Sequence, residues 1–361
     1  MGVMAIYFMI GNPNMADDGF HYQGFTESLS RGVIDFKSFY GFMGLSILSV
    51  PVYWLTNSSI AVIYTSMLMV MLSIPLAYQV GKHLYGTERA GVFSLIIFLL
   101  TPYPYTTLMR GFQEGALSFF ILLIIYGSIR VRSWTGLAWA FAGIVKPFSL
   151  SLFPLFLPDL FKKKNIIWFL IIGLIIGLSY LLISYAQVGH FINNAAINSY
   201  SGSFDTGNPP PLVESFTIGI KGFLRIGANF LLAYRKIMIS PFIVIVGSLM
   251  LLMTNKVPFR SRFISSVILN ILLVGLLTFS FSKYILPAAI ILGLASIPFI
   301  ERKWWYMVIV FVDSISVFIP IWNFFGMVYW PKLVVYLIPF WTAILMYIIF
   351  ESSNKKHAIK G

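Results

Sequence analysis

The chain has 361 residues, of which 58% are hydrophobic and only 10% are charged, and its mean hydropathy is +0.86. A soluble domain carries about 25% charged residues, so this composition excludes an ordinary soluble protein and indicates a polytopic membrane protein. The net charge of +13 does not indicate nucleic acid binding, because Lys and Arg cluster between apolar runs, as they do in cytoplasmic loops. The absence of cysteine excludes disulfides, thiolate metal sites and a cysteine nucleophile.

The first apolar stretch, residues 1–12, is shorter than the roughly 20 residues that a spanning helix needs. It has no basic n-region and no small-residue cleavage site, so we do not expect a signal peptide. We expect either that the first helix is short or that the true N-terminus of the protein lies upstream of Met1.

Two of the twelve carboxylates stand side by side in the first predicted external loop, residues 13–40, within Asn12-Pro-Asn-Met-Ala-Asp-Asp-Gly-Phe-His-Tyr22. A helix is predicted over 19–31, with Asp17 or Asp18 as its N-cap. Carboxylates at the edge of a hydrocarbon layer are costly unless they are solvated, paired or used. The pair is therefore a candidate catalytic site, with a solvated loop as the alternative. His21, on the same predicted helical face as Asp18, could orient a base or join a metal site.

Three apolar runs, at 42–55, 60–80 and 90–105, predict the next helices. The first is barely long enough to span, so one early segment is expected to lie in the interface or to re-enter. Glu114 opens the following run, where a negative charge either serves chemistry or only complements the helix dipole. Its neighbour Arg110 could pair with Glu114 or with a phosphate.

The stretch 134–161 has basic residues at both ends, and a single crossing cannot leave both ends on the cytoplasmic side. A pair of short helices that folds back at Lys146-Pro147 resolves this, because proline disfavours a helical conformation in the residue before it. Lys146 would then hold the fold-back in place or line a polar cavity. One continuous tilted helix is the alternative.

The rest of the chain predicts further spans at 165–185, 238–254, 262–280, 283–299, 304–322 and 333–350. The whole chain, 1–361, is interpreted as one all-α transmembrane domain with about 10–13 spanning or re-entrant helices. Within it we distinguish a first module at 1–185, a long external loop at 186–235 and a C-terminal helix set at 236–361.

Five segments together resemble the GT-C glycosyltransferases, in particular the protein mannosyltransferase and aminoarabinose transferase branch. They are the acidic pair after a short first span and four motifs in the same order along the chain: Gly81-Lys-His-Leu-Tyr-Gly-Thr-Glu-Arg-Ala-Gly91, Arg110-Gly-Phe-Gln-Glu114, Gly136-Leu-Ala-Trp-Ala-Phe-Ala-Gly-Ile-Val-Lys-Pro147 and Lys283-Tyr-Ile-Leu-Pro287. The resemblance covers roughly residues 1–300.

The resemblance implies an inverting transfer of a sugar from a polyprenyl-phosphate donor to a hydroxyl of an envelope glycan, lipid or protein, at the external face of the membrane. It implies Asp18 or Asp17 as catalytic base and Glu114 as a second catalytic carboxylate. The substrate-binding candidates are Arg110, His21, Lys146, Lys283 and Tyr284. The resemblance leaves a divalent cation, Mg²⁺ or Mn²⁺, open as a cofactor.

Two other classes of membrane protein handle lipid-linked sugars. A transporter or flippase places polar residues in mid-membrane and often has inverted repeats, whereas here the carboxylates lie mostly at one interface and no repeat is visible. An envelope polysaccharide polymerase or ligase relies on basic residues in a long external loop. The early acidic pair favours the transferase. The chain length and the lack of cysteine are typical of a prokaryotic plasma membrane protein.

Overall fold

The structure is a computed structural model that describes residues 15, 17–34, 43–101, 111–161, 240–275, 285–302 and 306–311, with single residues between 169 and 186. All regular secondary structure in these ranges is helical. A helix satisfies its backbone hydrogen bonds internally, which is what an apolar segment away from water requires. The predicted all-α class is confirmed for the described residues.

Most of the helices begin within three residues of the start of a predicted apolar run. In chain order they are α1 (Asp17–Ser30), α2 (Gly44–Thr56), α3 (Ala61–Tyr85), α4 (Glu88–Leu99), α5 (Glu114–Ile129), α6 (Thr135–Val145), a 3-10 segment (Pro147–Leu152), α7 (Phe153–Leu160), α8 (Pro241–Met253), α9 (Arg260–Gly275) and α10 (Leu286–Ile300). The predicted loop at 186–235, apart from its first residue, and the predicted span at 333–350 lie outside the described residues. The predicted spans at 165–185 and 304–322 are described only in part.

The predicted start of α1 needs a correction. The helix begins at Asp17 rather than at residue 19, so Asp17 and Asp18 are its first two residues and not its N-cap. Acidic residue types are favoured in the first turn of a helix, because the positive end of the helix dipole lies there.

One helix of the described residues, α3, is long and apolar enough to cross a membrane by itself, and six other apolar helical segments are shorter. α3 exposes an apolar stripe formed by Tyr64, Leu68, Met71 and Leu72. These residues repeat at helical spacing, which is typical of one continuous helix face. Such a stripe matches a helix that faces lipid. The number of spanning helices stays a prediction.

The chain divides by its internal contacts into two compact units. The first comprises Met1–Leu76, Tyr103–Ile237 and Ser265–Pro287, and the second comprises Ala77–Pro102, Met238–Ile264 and Ala288–Gly361. The predicted modules at 1–185, 186–235 and 236–361 were drawn from the order of hydrophobic runs and stay a prediction.

The centre of the first unit is α5. Twelve of its sixteen residues are buried, and they lie on all sides of the helix. A helix that is apolar all round belongs in an interior. α5 packs against α6, α7 and the 3-10 segment, and α2 packs against both α1 and α6.

The stretch 134–161 folds back on itself, as predicted. α6 ends at Val145 and the 3-10 segment begins at Pro147. The ring centroid of Trp139 on α6 lies 5.4 Å from that of Phe153 and 5.6 Å from that of Phe156, both on α7. The two short helices therefore lie side by side, and the alternative of one continuous helix is wrong.

The second unit contains a tight hairpin formed by the end of α3, from Ala77 onward, and α4. Gly86, with φ of +75°, ends α3, and the Thr87 side chain caps α4 by accepting a hydrogen bond from the Ala90 backbone N–H. A Cβ at Gly81 would lie 2.5 Å from the Ala90 carbonyl oxygen. Gly81 is therefore small because the two helices approach closely, so this motif of the resemblance serves packing.

Basic side chains cap helix ends in the second unit. Arg260 donates to the carbonyls of Leu251 (2.5 Å) and Leu252 (2.7 Å) at the end of α8, and Arg89 donates to the Glu301 carbonyl (2.6 Å) just after α10. Cations at helix C-termini are stabilised by the helix dipole. These basic side chains thus satisfy backbone carbonyls at helix ends.

We predict that Gly44→Ala destabilises the protein by about 1–3 kcal/mol, the usual range for overpacking. A Cβ at Gly44 would lie 2.5 Å from the Val145 backbone nitrogen, and backbone atoms cannot move aside easily. The change is read as the melting temperature of detergent-solubilised protein, followed by intrinsic tryptophan fluorescence.

Gly24→Ala is the matched control, because a Cβ at Gly24 meets nothing within 4 Å. Replacing a mid-helix glycine with alanine stabilises by roughly 0.5–1 kcal/mol. An equal loss of stability in both variants would contradict the close approach of α2 to the end of α6.

Candidate functional site

Glu114 is the first residue of α5 and is 1% exposed. The preceding turn contains Gly111 in a left-handed conformation, with φ of +70°, which glycine adopts without strain. This turn lets the chain enter α5 abruptly, so the carboxylate stands at the positive end of the helix dipole. This position agrees with one of the two predicted roles of Glu114, in which its negative charge complements the dipole at the start of a helix.

Lys146 lies at the break between α6 and the 3-10 segment and is 3% exposed. Its backbone is extended, with φ of −162° and ψ of 122°, as expected before a proline. Its N–H donates to the Ala142 carbonyl at 2.7 Å, and its carbonyl accepts from the Ser149 N–H (3.1 Å) and hydroxyl (2.9 Å). The backbone at the break is therefore hydrogen-bonded on both sides. These bonds fix the position from which the buried Lys146 side chain extends.

These two residues form a buried ion pair, with Lys146 Nζ 2.5 Å from Glu114 Oε1. Removing two charges from water costs several kcal/mol per ion, which mutual attraction offsets only at close range. The other carboxylate oxygen, Oε2, is buried and has no hydrogen-bond partner within the part of the chain that the structure describes. The carboxylate thus has one oxygen engaged and one available.

The turn before α5 packs against the start of α1. A Cβ at Gly111 would lie 3.2 Å from the Gly19 Cα, so the two backbones are in contact. The Ser66 hydroxyl of α3 donates to the Phe112 carbonyl at 3.1 Å and holds the turn from the other side. Gly19 directly follows Asp18, and Gly111 lies three positions before Glu114. The structure therefore brings the two acidic segments together at the level of the backbone.

A second route connects the break with α1. Gly44, at the start of α2, lies against Val145, next to Lys146. The Ser46 hydroxyl donates to the Tyr22 carbonyl of α1 at 2.9 Å, and the Thr26 hydroxyl donates to the Ser46 carbonyl at 3.4 Å. The starts of α1, α2 and α5 and the break after α6 therefore form one closed set of contacts.

Gln23 fixes α1 to the beginning of α3. Its amide nitrogen donates to Glu27 Oε1 (2.9 Å) and to the Ser58 carbonyl (3.2 Å), and its amide oxygen accepts from the Val62 N–H (3.3 Å). The side chain is 5% exposed, and a buried polar group needs such partners. Nothing in the sequence signalled this role, because Gln23 is one of several polar residues in the predicted helix.

The remaining candidate residues fall into two groups. His21 is exposed on α1, four residues after its start. The backbones of Asp17 and Asp18 form the first turn of α1. Three candidates, Arg110, Lys283 and Tyr284, lie outside the described residues.

The pairing of Glu114 with Lys146 was missed by the sequence analysis, which considered Arg110 as the partner of the glutamate, with a phosphate as the alternative partner of Arg110. A usable signal existed. Each of the two residues is an isolated charge in an apolar stretch, and such charges in membrane proteins pair with one another. The two residues are 32 positions apart, however, so their pairing can be recognised only when the packing of the helices is known.

Within the described ranges, no three or more His, Cys, Asp or Glu residues are grouped so that they could hold a metal ion.

No protein-family model and no curated protein matches the sequence significantly. Among solved structures, the chain is similar to the crystal structure of ArnT from Cupriavidus metallidurans bound to undecaprenyl phosphate. The TM-score is 0.59 at 14% sequence identity, over 100% of this chain and 72% of that chain. At this identity the likeness shows the fold alone. The fold is GT-C-like, which confirms the resemblance at that level.

We predict that Glu114→Gln and Lys146→Met each lower the free energy of unfolding by about 3–5 kcal/mol, because each leaves one buried charge without its partner. The double variant is expected to lose less than the sum of the two single losses, since neither charge remains. Unfolding in detergent micelles, followed by tryptophan fluorescence, measures this cycle. Additive losses would contradict the ion pair.

Proposed function

We propose that this protein is an inverting glycosyltransferase that moves a sugar from a polyprenyl-phosphate donor to a hydroxyl acceptor. The observation that carries the proposal is the GT-C-like fold, similar over the whole chain to an ArnT structure with bound undecaprenyl phosphate. The contact of Gly111 with Gly19 supports it, because this contact brings together the backbones of the two segments that carry the acidic residues.

In the proposed reaction, the acceptor hydroxyl oxygen attacks the anomeric carbon of the donor sugar. The bond from that carbon to the phosphate oxygen breaks, and polyprenyl phosphate leaves. The hydroxyl proton passes to Asp18 or Asp17, acting as general base. A single displacement through an oxocarbenium-like transition state inverts the anomeric carbon, as in inverting glycosidases.

The departing phosphate needs cationic partners, which Arg and Lys supply through charge-assisted hydrogen bonds. We assign this role to Arg110 and Lys283, with Tyr284 as a neighbouring hydrogen-bond donor. His21, exposed on α1 beyond the acidic pair, is assigned to acceptor binding. Lys146 is not assigned to the phosphate, because its ammonium group contacts Glu114.

The proposed setting is the plasma membrane of a prokaryote, with 10–13 helices in one transmembrane domain and the reaction at the external face. Membrane lipids and the lipid-linked donor are the expected partners, together with an envelope glycan, lipid or protein acceptor. A divalent ion remains a proposal that transfer assays with Mg²⁺, Mn²⁺ or EDTA test directly.

The second candidate is a flippase for lipid-linked sugars. Reconstitution in liposomes separates the two classes, because a flippase moves the lipid between leaflets without forming a new glycosidic bond. A polymerase or ligase would extend a glycan chain rather than transfer one sugar, which mass spectrometry of the product distinguishes.

We predict that Asp17→Asn/Asp18→Asn lowers sugar transfer by at least about 100-fold, the usual contribution of a general base. Binding of undecaprenyl phosphate is expected to change little, because the base contacts the acceptor. The control is Glu27→Gln, a carboxylate-to-amide change on the same helix that keeps the acceptor for Gln23. Full transfer by the double variant would refute the base assignment.

We predict that undecaprenyl phosphate raises the melting temperature of the purified protein and that undecaprenol, which lacks the phosphate, raises it less. A ligand that binds only the folded state stabilises it by about 2.7 kcal/mol at 100 times its Kd. Equal shifts with both lipids would show that the phosphate is not recognised.

A further inference from the structure

We propose that Lys146 is a positioning residue for the reaction. It holds Glu114 by one carboxylate oxygen and leaves the other, Oε2, to accept a hydrogen bond from a substrate hydroxyl. The inference rests on the proposed function and adds a residue and a contact to it.

The first argument is the choice of residues. A buried ion pair is a poor way to join two helices, because apolar side chains of similar volume stabilise as well or better. Around it, the joins between helices are made by glycine contacts and by hydroxyls that bond to backbone carbonyls, as at Gly44 and Ser46. A charge at this point therefore calls for a reason beyond packing.

The second argument is the state of Oε2. A buried polar atom without a hydrogen bond costs about 1–3 kcal/mol, more when it is charged. The nearby Gln23 is buried to a similar extent, and both polar atoms of its side chain are hydrogen-bonded. Oε2 is buried and has no partner among the described residues. A carboxylate accepts several hydrogen bonds, so this oxygen is suited to a donor that arrives with the substrate.

The third argument is location. Glu114 lies three residues after Gly111, which contacts Gly19 directly beyond the acidic pair. A hydroxyl held by Oε2 is thus close to the segment that carries the proposed base. Lys146 determines which oxygen faces away from the ammonium group, and the hydrogen-bonded break at Ala142 and Ser149 determines where Lys146 lies.

The test compares two double variants that keep the local charge balanced. Glu114→Gln/Lys146→Met removes both charges, and Glu114→Lys/Lys146→Glu exchanges them. A purely structural pair survives the exchange, whereas a carboxylate that binds substrate from the start of α5 does not. The control is Lys82→Met/Glu88→Gln, which removes an exposed ion pair with the same 2.5 Å separation.

We expect at least one balanced variant to fold, with a melting temperature near that of the wild type, and every folded one to lose about 100-fold or more in turnover. The control is expected to keep wild-type turnover, because exposed pairs contribute little. Turnover within about fivefold of wild type in either folded double variant would overturn the proposal. Failure of both to fold would assign the pair to structure alone and would also overturn it.

Binding measurements identify the hydroxyl. If it belongs to the donor sugar, Glu114→Gln/Lys146→Met weakens binding of undecaprenyl-phosphate mannose or aminoarabinose but not of undecaprenyl phosphate. If it belongs to the acceptor, binding of all three lipids is unchanged, and the variant loses turnover with a changed acceptor KM. Absence of transfer by the wild-type protein would overturn the proposed function itself, which separates the two failures.

Discussion

The buried ion pair between Glu114 and Lys146 fixes where two distant parts of the first unit meet. In an interior of low polarity, one of these charges without the other would be far more costly than the pair. The start of α5 and the break after α6 must therefore meet, because the two atoms stand 2.5 Å apart with almost no access to solvent. Around this meeting point the unit closes through glycine contacts and short hydroxyl hydrogen bonds.

The same arrangement connects chemistry to architecture. α1 is a polar helix among apolar ones, and it is held by Gln23, by Ser46 and by the contact between Gly19 and Gly111. Side chains of Ser, Thr and Gln donate hydrogen bonds to backbone carbonyls without adding charge. Charged side chains are therefore not needed for these contacts between helices. In the second unit, by contrast, the arginines cap helix ends, and the Gly81 motif makes a close helix hairpin. Of the segments that resemble the GT-C glycosyltransferases, some therefore serve helix packing and others contain the candidate catalytic residues.

Much of the helical layout could be predicted from the chain. The starts of α2 to α4 and α8 to α10 follow from apolar runs, and the fold-back follows from the proline after Lys146. The start of α1 was misplaced by two residues, because a capping and a first-turn aspartate have the same sequence signature. The partner of Glu114 was also missed. Arg110 was nearer in sequence, and spacing along one helix says nothing about a lysine 32 positions away.

By itself the sequence determined the class of protein and the places where chemistry is possible. A chain with 10% charged residues has too few charges for a water-facing surface, and each charge in an apolar stretch marks a position that needs a reason. Only the tertiary structure decided which charges meet. Helix packing, and not local pattern, turned Lys146 toward Glu114 and brought Gly111 against Gly19. The physical reason is that hydropathy and helix signals act over a few neighbouring residues, whereas a buried pair is specified by the three-dimensional path between them.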